Sequence, residues 1–381
     1  MTPVTRPDPR RRWFAMGDPQ TTFANVLALL RTHDLLDDSG RLRADVGLVS
    51  IGDHYDFYAH DGKPLADTGR DGSDILRWLA QHPPDQVVML LGNHDTARVM
   101  ELAFESDESF AAARALAAEC AAEKPPGDKT RAFAARFPHI GAPGLAHRDF
   151  SAFAVDQRAL VQELLLAGRM RLACLGQHAG KPVLLTHAGV SNAEVKLLGI
   201  TPAATHATHA THAPGAAALV DALEAHLHAA VDRVRPAWTR GELAALDLEP
   251  LHFAGRDGRE GGGLLYHRAS QKTDDTGPDA PIARRKLHPR ELPRGLVQVH
   301  GHCGHHKCLE HLADWLGPSA AARPRGGLRT LTAGASSIVY DAGIHPADDA
   351  NATVYFIDIE MNSPGQADYP LFELESVVAT R

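Results

Sequence analysis

The chain is poor in cysteine, has no long apolar run and carries no surplus of positive charge. Its 381 residues include four cysteines, Cys120, Cys174, Cys303 and Cys308. They are few and unevenly placed, which argues against a disulfide framework and fits a reducing compartment. Nowhere do enough consecutive apolar residues occur to span a bilayer. The basic start MTPVTRPDPRRRW is not followed by the apolar segment of a secretion signal. A cytoplasmic protein with a frayed amino end over residues 1–12 and no membrane partner is expected. The formal charge of −8 provides no global basic field, so nucleic acid is not an expected partner. Apolar residues make up 44% of the chain, enough for one large domain over 13–381 with a sizeable core.

What the sequence does contain is a repeated order of strand, polar loop and helix. RRWFAM reads as a strand, GDPQ as its exit loop, and TTFANVLALLRTHDLL as a helix with Phe23, Val26, Leu27 and Leu30 on one face. The pattern returns in DVGLVSIGDHYDF, SDILRWLAQH, DQVVMLLGNHD and GKPVLLTHAGVS. Such alternation predicts an α/β fold with a largely parallel sheet, whose ligands collect at the carboxyl ends of strands. Residues 98–172 are alanine-rich, charged and helical, and are expected to form an inserted cap over the site. Residues 201–215 hold the low-complexity run AATHATHATHA; His206, His209 and His212 in it are read as a drifted tandem repeat on a surface loop. Residues 255–295 are rich in Gly, Arg and Pro and read as irregular. LRTLTAGASSIVY and ATVYFIDIEM return to β-branched and aromatic runs, the strands of a second sheet.

The stretch VSIGDHYDFY places Asp53, His54 and Asp56 within four positions, and clustered acids repel unless something positive sits among them. Candidate partners stand in four other loops: Asp18 with Gln20 in GDPQ, Asn93 with His94 in GNHD, His187 in THAG, and His302 in VHGHCGH. Oxygen donors mixed with imidazoles, without convergent thiolates, suit Mn, Fe or Zn. Taken singly, each Asp reads equally as a helix N-cap and each Asn as a turn residue. Five such loops, each closing a strand, are harder to explain that way.

The ordered series GD, GDxxD, GNHD, THAG and GH resembles that of the calcineurin-like metallophosphoesterases, and GDPQ running into a helix is similar to their phosphoprotein phosphatase branch. The resemblance covers about residues 13–100 and 181–360. It implies a four-layer α-β-β-α sandwich of two mixed sheets with a helical insertion, and two divalent metal ions. It further implies that Asp53 bridges them, that Asp18 binds the first, and that Asn93, His187 and His302 bind the second. The implied reaction is hydrolysis of a phosphate ester by metal-activated hydroxide, with His94 as general acid, Asp56 orienting it, and Asn93 also facing the substrate phosphate. The first substrate class is a phosphomonoester, on a small molecule or a phosphoprotein. The alternatives are a nucleotide or dinucleoside polyphosphate, whose base would stack on Phe57, Tyr58 or Tyr266, and a catalytically idle metal- or phosphate-binding protein.

Three departures accompany the likeness. Gln20 stands where the common first loop has histidine. Phe57 and Tyr58 stand where the phosphatase branch has an arginine that grips phosphate, so the grip is assigned to Arg268 in GGGLLYHRAS, with Arg98 as second candidate. Gly304 stands where GH-x-H has its second histidine, and His305 is one alternative donor there.

Overall fold

Strands buried on both faces need apolar residues at every position rather than at alternate ones, and VGLVS and VVML meet that demand. In the computed structural model, which describes residues 11–57, 65–123, 127–150, 152–200, 215–255, 260–274, 283–320, 327–362 and 369–378, they lie inside one of two large mixed sheets. Tyr58 and His206, His209 and His212 lie outside the described residues.

The strands in chain order are β1 (Arg12–Met16), β2 (Val46–Ser50), β3 (Val87–Leu90), β4 (Met170–Arg171), β5 (Ala173–His178), β6 (Lys181–Thr186), β7 (His252–Phe253), β8 (Gly262–Gly263), β9 (Arg268–Ala269), β10 (Lys286–Leu287), β11 (Val297–His300), β12 (Arg329–Ala333), β13 (Ile338–Ala342), β14 (Ala352–Phe356), β15 (Phe372–Leu374) and β16 (Ser376–Val378). The first sheet runs β15-β1-β2-β3-β4 and the second β13-β12-β14-β11-β6-β5-β16, while β7 pairs with β8 and β9 with β10. Within the first sheet β1, β2, β3 and β4 are parallel; within the second, β6, β11 and β14 are.

Side-chain alternation sorts the two faces. Trp13, Ala15, Val49, Ile51, Val88 and Leu90 of the first sheet meet Val183, Leu185, Val297, Val299 and Tyr355 of the second in one apolar layer. Phe14, Met16, Leu48, Val87 and Met89 point the other way, onto helices α1 (Phe23–Thr32) and α2 (Leu65–Ala80). Helix α1 starts where Thr22 accepts the N–H of Asn25, an N-cap on the loop that carries Asp18. The result is an α/β arrangement with two facing sheets and helices on the outside. No helix of the described residues is long and apolar enough to cross a membrane.

The helical stretch 98–172 divides in two. After the short α3 (Asn93–Ala97), helices α4 (Asp107–Ala121) and α5 (Asp128–Arg136) build their own core of Phe110, Phe133, Phe137, Phe150 and Phe153. Helix α6 (Val155–Leu166) instead sends Leu160, Val161, Leu164 and Leu165 into the main core, and β4 follows it inside the first sheet. Alanine-rich composition marked both parts alike; the placing of the large apolar residues separates them. Helices α7 (Asn192–Leu197), α8 (Ala216–Thr239) and α9 (His305–His311) complete the set, with α8 lying over β5 and β6.

Candidate metal centre

The polar loops follow the carboxyl ends of parallel strands, as sheet topology requires of a binding edge. Asp18 follows β1, Asp53 follows β2, Asn93 follows β3, His187 follows β6 and His302 follows β11. Asp53, Asp56 and His302 each adopt the left-handed backbone, with φ of 59°, 68° and 61°, a conformation costing on the order of 1 kcal/mol or more for a non-glycine residue. The neighbouring glycines are set by space. A Cβ on Gly92 would lie 2.0 Å from Oδ1 of Asp53, and one on Gly301 would lie 1.9 Å from Oδ1 of Asp18. The two carboxylates lean directly over bare backbone.

Asp53, His187 and His302 form a buried group whose candidate ligand atoms all lie within 4.8 Å of one another. Their hydrogen bonding is incomplete without a cation. Nδ1 of His187 faces the carbonyl of Ile51 at 3.1 Å and must be the protonated nitrogen. In the neutral tautomer its Nε2 then turns a lone pair toward Oδ1 of Asn93 at 3.1 Å and Oδ1 of Asp53 at 3.4 Å, so three acceptors face each other unless a proton or a metal ion sits between them. Nε2 of His302 and Oδ1 of Asp18 are buried with no hydrogen-bond partner. Burial, with the charges of Arg268 and His187, holds the His302 imidazole well below its usual range, so it stays neutral and able to donate a lone pair. Burial alone would raise Asp53, but His187 and His94 outweigh it and keep the carboxylate ionised. A lone-pair cluster of oxygens and imidazole nitrogens around one anion fits a divalent metal ion.

His94 borders this group and is the one of its members that is partly open, with 15% of its side chain exposed. Its backbone N–H donates to Oδ1 of Asp53 at 2.9 Å, and its Nδ1 donates to Oδ2 of Asp56 at 2.9 Å. Nε2 is thereby left toward the centre, 3.8 Å from Oδ2 of Asp53. Burial pulls the imidazole's affinity for a proton down, but Asp53 and Asp56 more than offset this, and its pKa stands above the ordinary histidine value.

Asp56 is neutralised by protein, not by the centre. Arg98, fully buried, donates from Nη2 to its Oδ1 at 2.8 Å and from Nη1 to its Oδ2, and also reaches the carbonyls of His94 and Ala152 at 2.8 and 2.7 Å. Burial would raise the Asp56 carboxyl, but Arg98 and His94 hold it below its usual value. This corrects one expectation: Arg98 is committed to Asp56 and has no free face for a phosphate.

Asp95, the last residue of GNHD, ties the loops together. It accepts the backbone N–H of Asp53 at 2.9 Å, His54 at 3.0 Å and Gly92 at 2.9 Å. His54, which lies between the two acids of GDHYD, is fully buried between Asp95 and the Ser50 hydroxyl. Only the contact to Gly92 was legible, since an acid three residues after a helix N-cap can accept that residue's N–H; the reach to Asp53 and His54, 42 and 41 residues away, was not.

Gln20 donates Nε2 to the carbonyls of Tyr55 and Asp56 at 3.1 and 3.2 Å, which leaves its amide oxygen as the donor atom to a metal. Arg268 is half-buried, its Nε has no partner and is buried, and its charge acts on His302. Tyr266 is buried, bonded to Asn93 and edge-on to His302 with ring centroids 5.8 Å apart; Phe57 is buried as well. His305 bonds the Tyr340 hydroxyl through Nδ1 at 2.8 Å. Cys303 and Cys308 lie 3.4 Å apart between sulfurs, and among the described residues no third donor gathers with them into a metal group. No family model, curated protein or solved structure matches the chain. Its chemistry is therefore read from its own residues.

Proposed function

We propose that the chain is a dinuclear metal-dependent phosphoesterase of the metallophosphoesterase fold, acting on phosphomonoesters of small molecules or phosphoproteins. The observation that carries this reading is the buried convergence of lone pairs from Asp53, His187, Asn93 and His302 beside a protonated-leaning His94. Asp18 with the amide oxygen of Gln20 would hold a first divalent ion, Asn93, His187 and His302 a second, and Asp53 both; Mn, Fe or Zn suits the donors. Two such cations would polarise the phosphoryl oxygens and make water acidic enough to attack phosphorus near neutral pH.

The remaining work falls to the chain's own side chains. His94 holds a proton on Nε2 and gives it to the departing ester oxygen, which removes the cost of expelling an alkoxide. Asp56 fixes the imidazole's tautomer and direction through Nδ1, and Arg98 fixes Asp56. Asn93 has an amide group next to the phosphate position. Arg268, with an unpaired buried Nε, supplies a guanidinium that neutralises substrate charge.

The deciding experiment is metal content of the purified chain by elemental analysis, with hydrolysis of an aryl phosphate and an aryl phosphodiester before and after chelation and Mn²⁺ restoration. About two ions per chain with turnover restored by Mn²⁺, faster on the monoester, is the expected result. Faster turnover on the diester or on nucleotides would move the substrate class. Bound ions without turnover on any of these would overturn the enzymatic reading in favour of a metal- or phosphate-binding protein.

A further inference from the structure

Asp18 sits among negative charge that Gln20 and Asp53 do not relieve. It is 3% exposed, its Oδ1 has no partner, and its Oδ2 accepts the backbone N–H of His302 at 2.9 Å. Of the neighbouring acids, Asp358 acts on it more strongly than Asp53 does. Asp358 follows the end of β14, the parallel neighbour of the strand that leads to His302. A Cβ on Gly17 would lie 3.0 Å from the Asp358 Cα, so the turn bearing Asp18 rests on the Asp358 backbone. Arg329, buried, holds that backbone by donating Nη2 to the Asp358 carbonyl at 2.5 Å.

The next acid, Glu360, donates its backbone N–H to Oδ1 of Asp358 at 3.0 Å and has φ of 54°. Its side chain covers Gly304: a Cβ there would lie 2.4 Å from Glu360 Oε1. A side chain at position 304 would have to displace the Glu360 carboxylate that occupies the space. Sequence reading placed no ligand in DIE, although Asp358 bears the same relation to its strand as Asp18 does to β1, two residues past the end.

Resting on the dinuclear reading above, we propose that Asp358 is a ligand of the ion held by Asp18, with Glu360 positioning it, so that the first metal position is built from oxygen atoms. The unpartnered Oδ1 of Asp18 marks the place of that ion. Among the described residues Asp18, Asp358 and Glu360 are not drawn together as closely as Asp53, His187 and His302, so the ion would have to draw Asp358 in. An oxygen-rich position prefers harder ions than the imidazole-rich one beside it.

The test is a calorimetric Mn²⁺ titration of the chelator-stripped full chain, unaltered and with Asp358→Asn, Asp358→Ser or Glu360→Gln, each checked for an unchanged circular-dichroism spectrum. Two ions should bind the unaltered chain. Asp358→Asn should weaken one of them at least about tenfold, since even loss of an outer partner costs that much, and leave the other as it was; Asp358→Ser should do the same, and Glu360→Gln less. Two ions bound equally well by unaltered chain and folded Asp358 variants would overturn the inference and leave the dinuclear reading standing. Loss of one ion in Glu360→Gln but not in the Asp358 variants would overturn the choice of ligand. Fewer than two ions on the unaltered chain would overturn the dinuclear reading and this inference together.

Discussion

Around Asn93, His187 and His302 the donors carry no negative charge and are held by protein: a carbonyl fixes His187, burial keeps His302 uncharged, and Tyr266 bonds Asn93. Around Asp18 the donors are acids, and burial with the charges of Asp358 and Asp53 drives the Asp18 carboxyl toward protonation; they are joined by an amide whose nitrogen is already engaged. One half of the centre is shaped before an ion arrives; the other gains its order from the ion. Preformed donors cost little to reorganise, so the second position should fill first and depend weakly on pH near neutrality. Filling the first position must displace a proton from Asp18, so its affinity should climb as pH rises above the ordinary carboxylate range.

His94 stands outside both halves, and removing it should give the largest change in rate. His94→Ala should keep both ions yet lower turnover of alkyl phosphates by roughly two to four orders of magnitude, the usual span for general acid catalysis. Aryl phosphates, whose leaving groups need little protonation, should lose far less. Equal loss on both ester types, read as kcat on each, would contradict the role.

Breaking the preformed half comes next. Asn93→Ala should cost the second ion about 10- to 100-fold in affinity, at least the cost typical of outer-sphere partners, with a parallel fall in activity. Mn²⁺ titration with elemental analysis checks it; normal ion content with normal rate would remove Asn93 from the centre. Gln20→His should have a smaller effect in the opposite direction. An imidazole is the stronger donor, so the first ion should bind more tightly at pH values above the imidazole's own titration, bringing the two halves closer together. An unchanged titration would mean that the amide oxygen of Gln20 makes no bond to metal.

The legible part of the centre was the part placed by strand ends. Asp18, Asp53, Asn93, His187 and His302 follow parallel strands that the sequence marks with apolar runs, and the sheet converges them whatever else the chain does. Arg98 was legible as a site residue but not in its role, because guanidinium chemistry suits a phosphate and a carboxylate equally. Its position four residues after His94, one turn along the helix face, was the clue that it would share the partner of His94. The reach of Asp95 to Asp53 and His54 was missed because it depends on the approach of segments distant in sequence, which spacing alone does not report. The alanine-rich stretch was read as one unit because composition does not say which face of a helix meets the sheet; Leu160, Val161, Leu164 and Leu165 do.

The smallest predicted effect concerns His94 in the metal-free chain. Asp53 and Asp56 overcome burial and raise its pKa above the ordinary value of 6.5, so the folded chain binds a proton there more tightly than the unfolded one. The contribution to stability is then fully present below pH 6.5 and is lost as pH rises through the raised folded value. The melting temperature of the chelated protein should therefore fall as pH is taken upward from about 6.5. His94→Gln, which has no proton to lose in that window, should remove this component of the slope while keeping a polar side chain beside Asp56. An identical slope in the variant would mean that Asp53 and Asp56 do not favour the imidazolium, and the proton on Nε2 would then need another source at neutral pH.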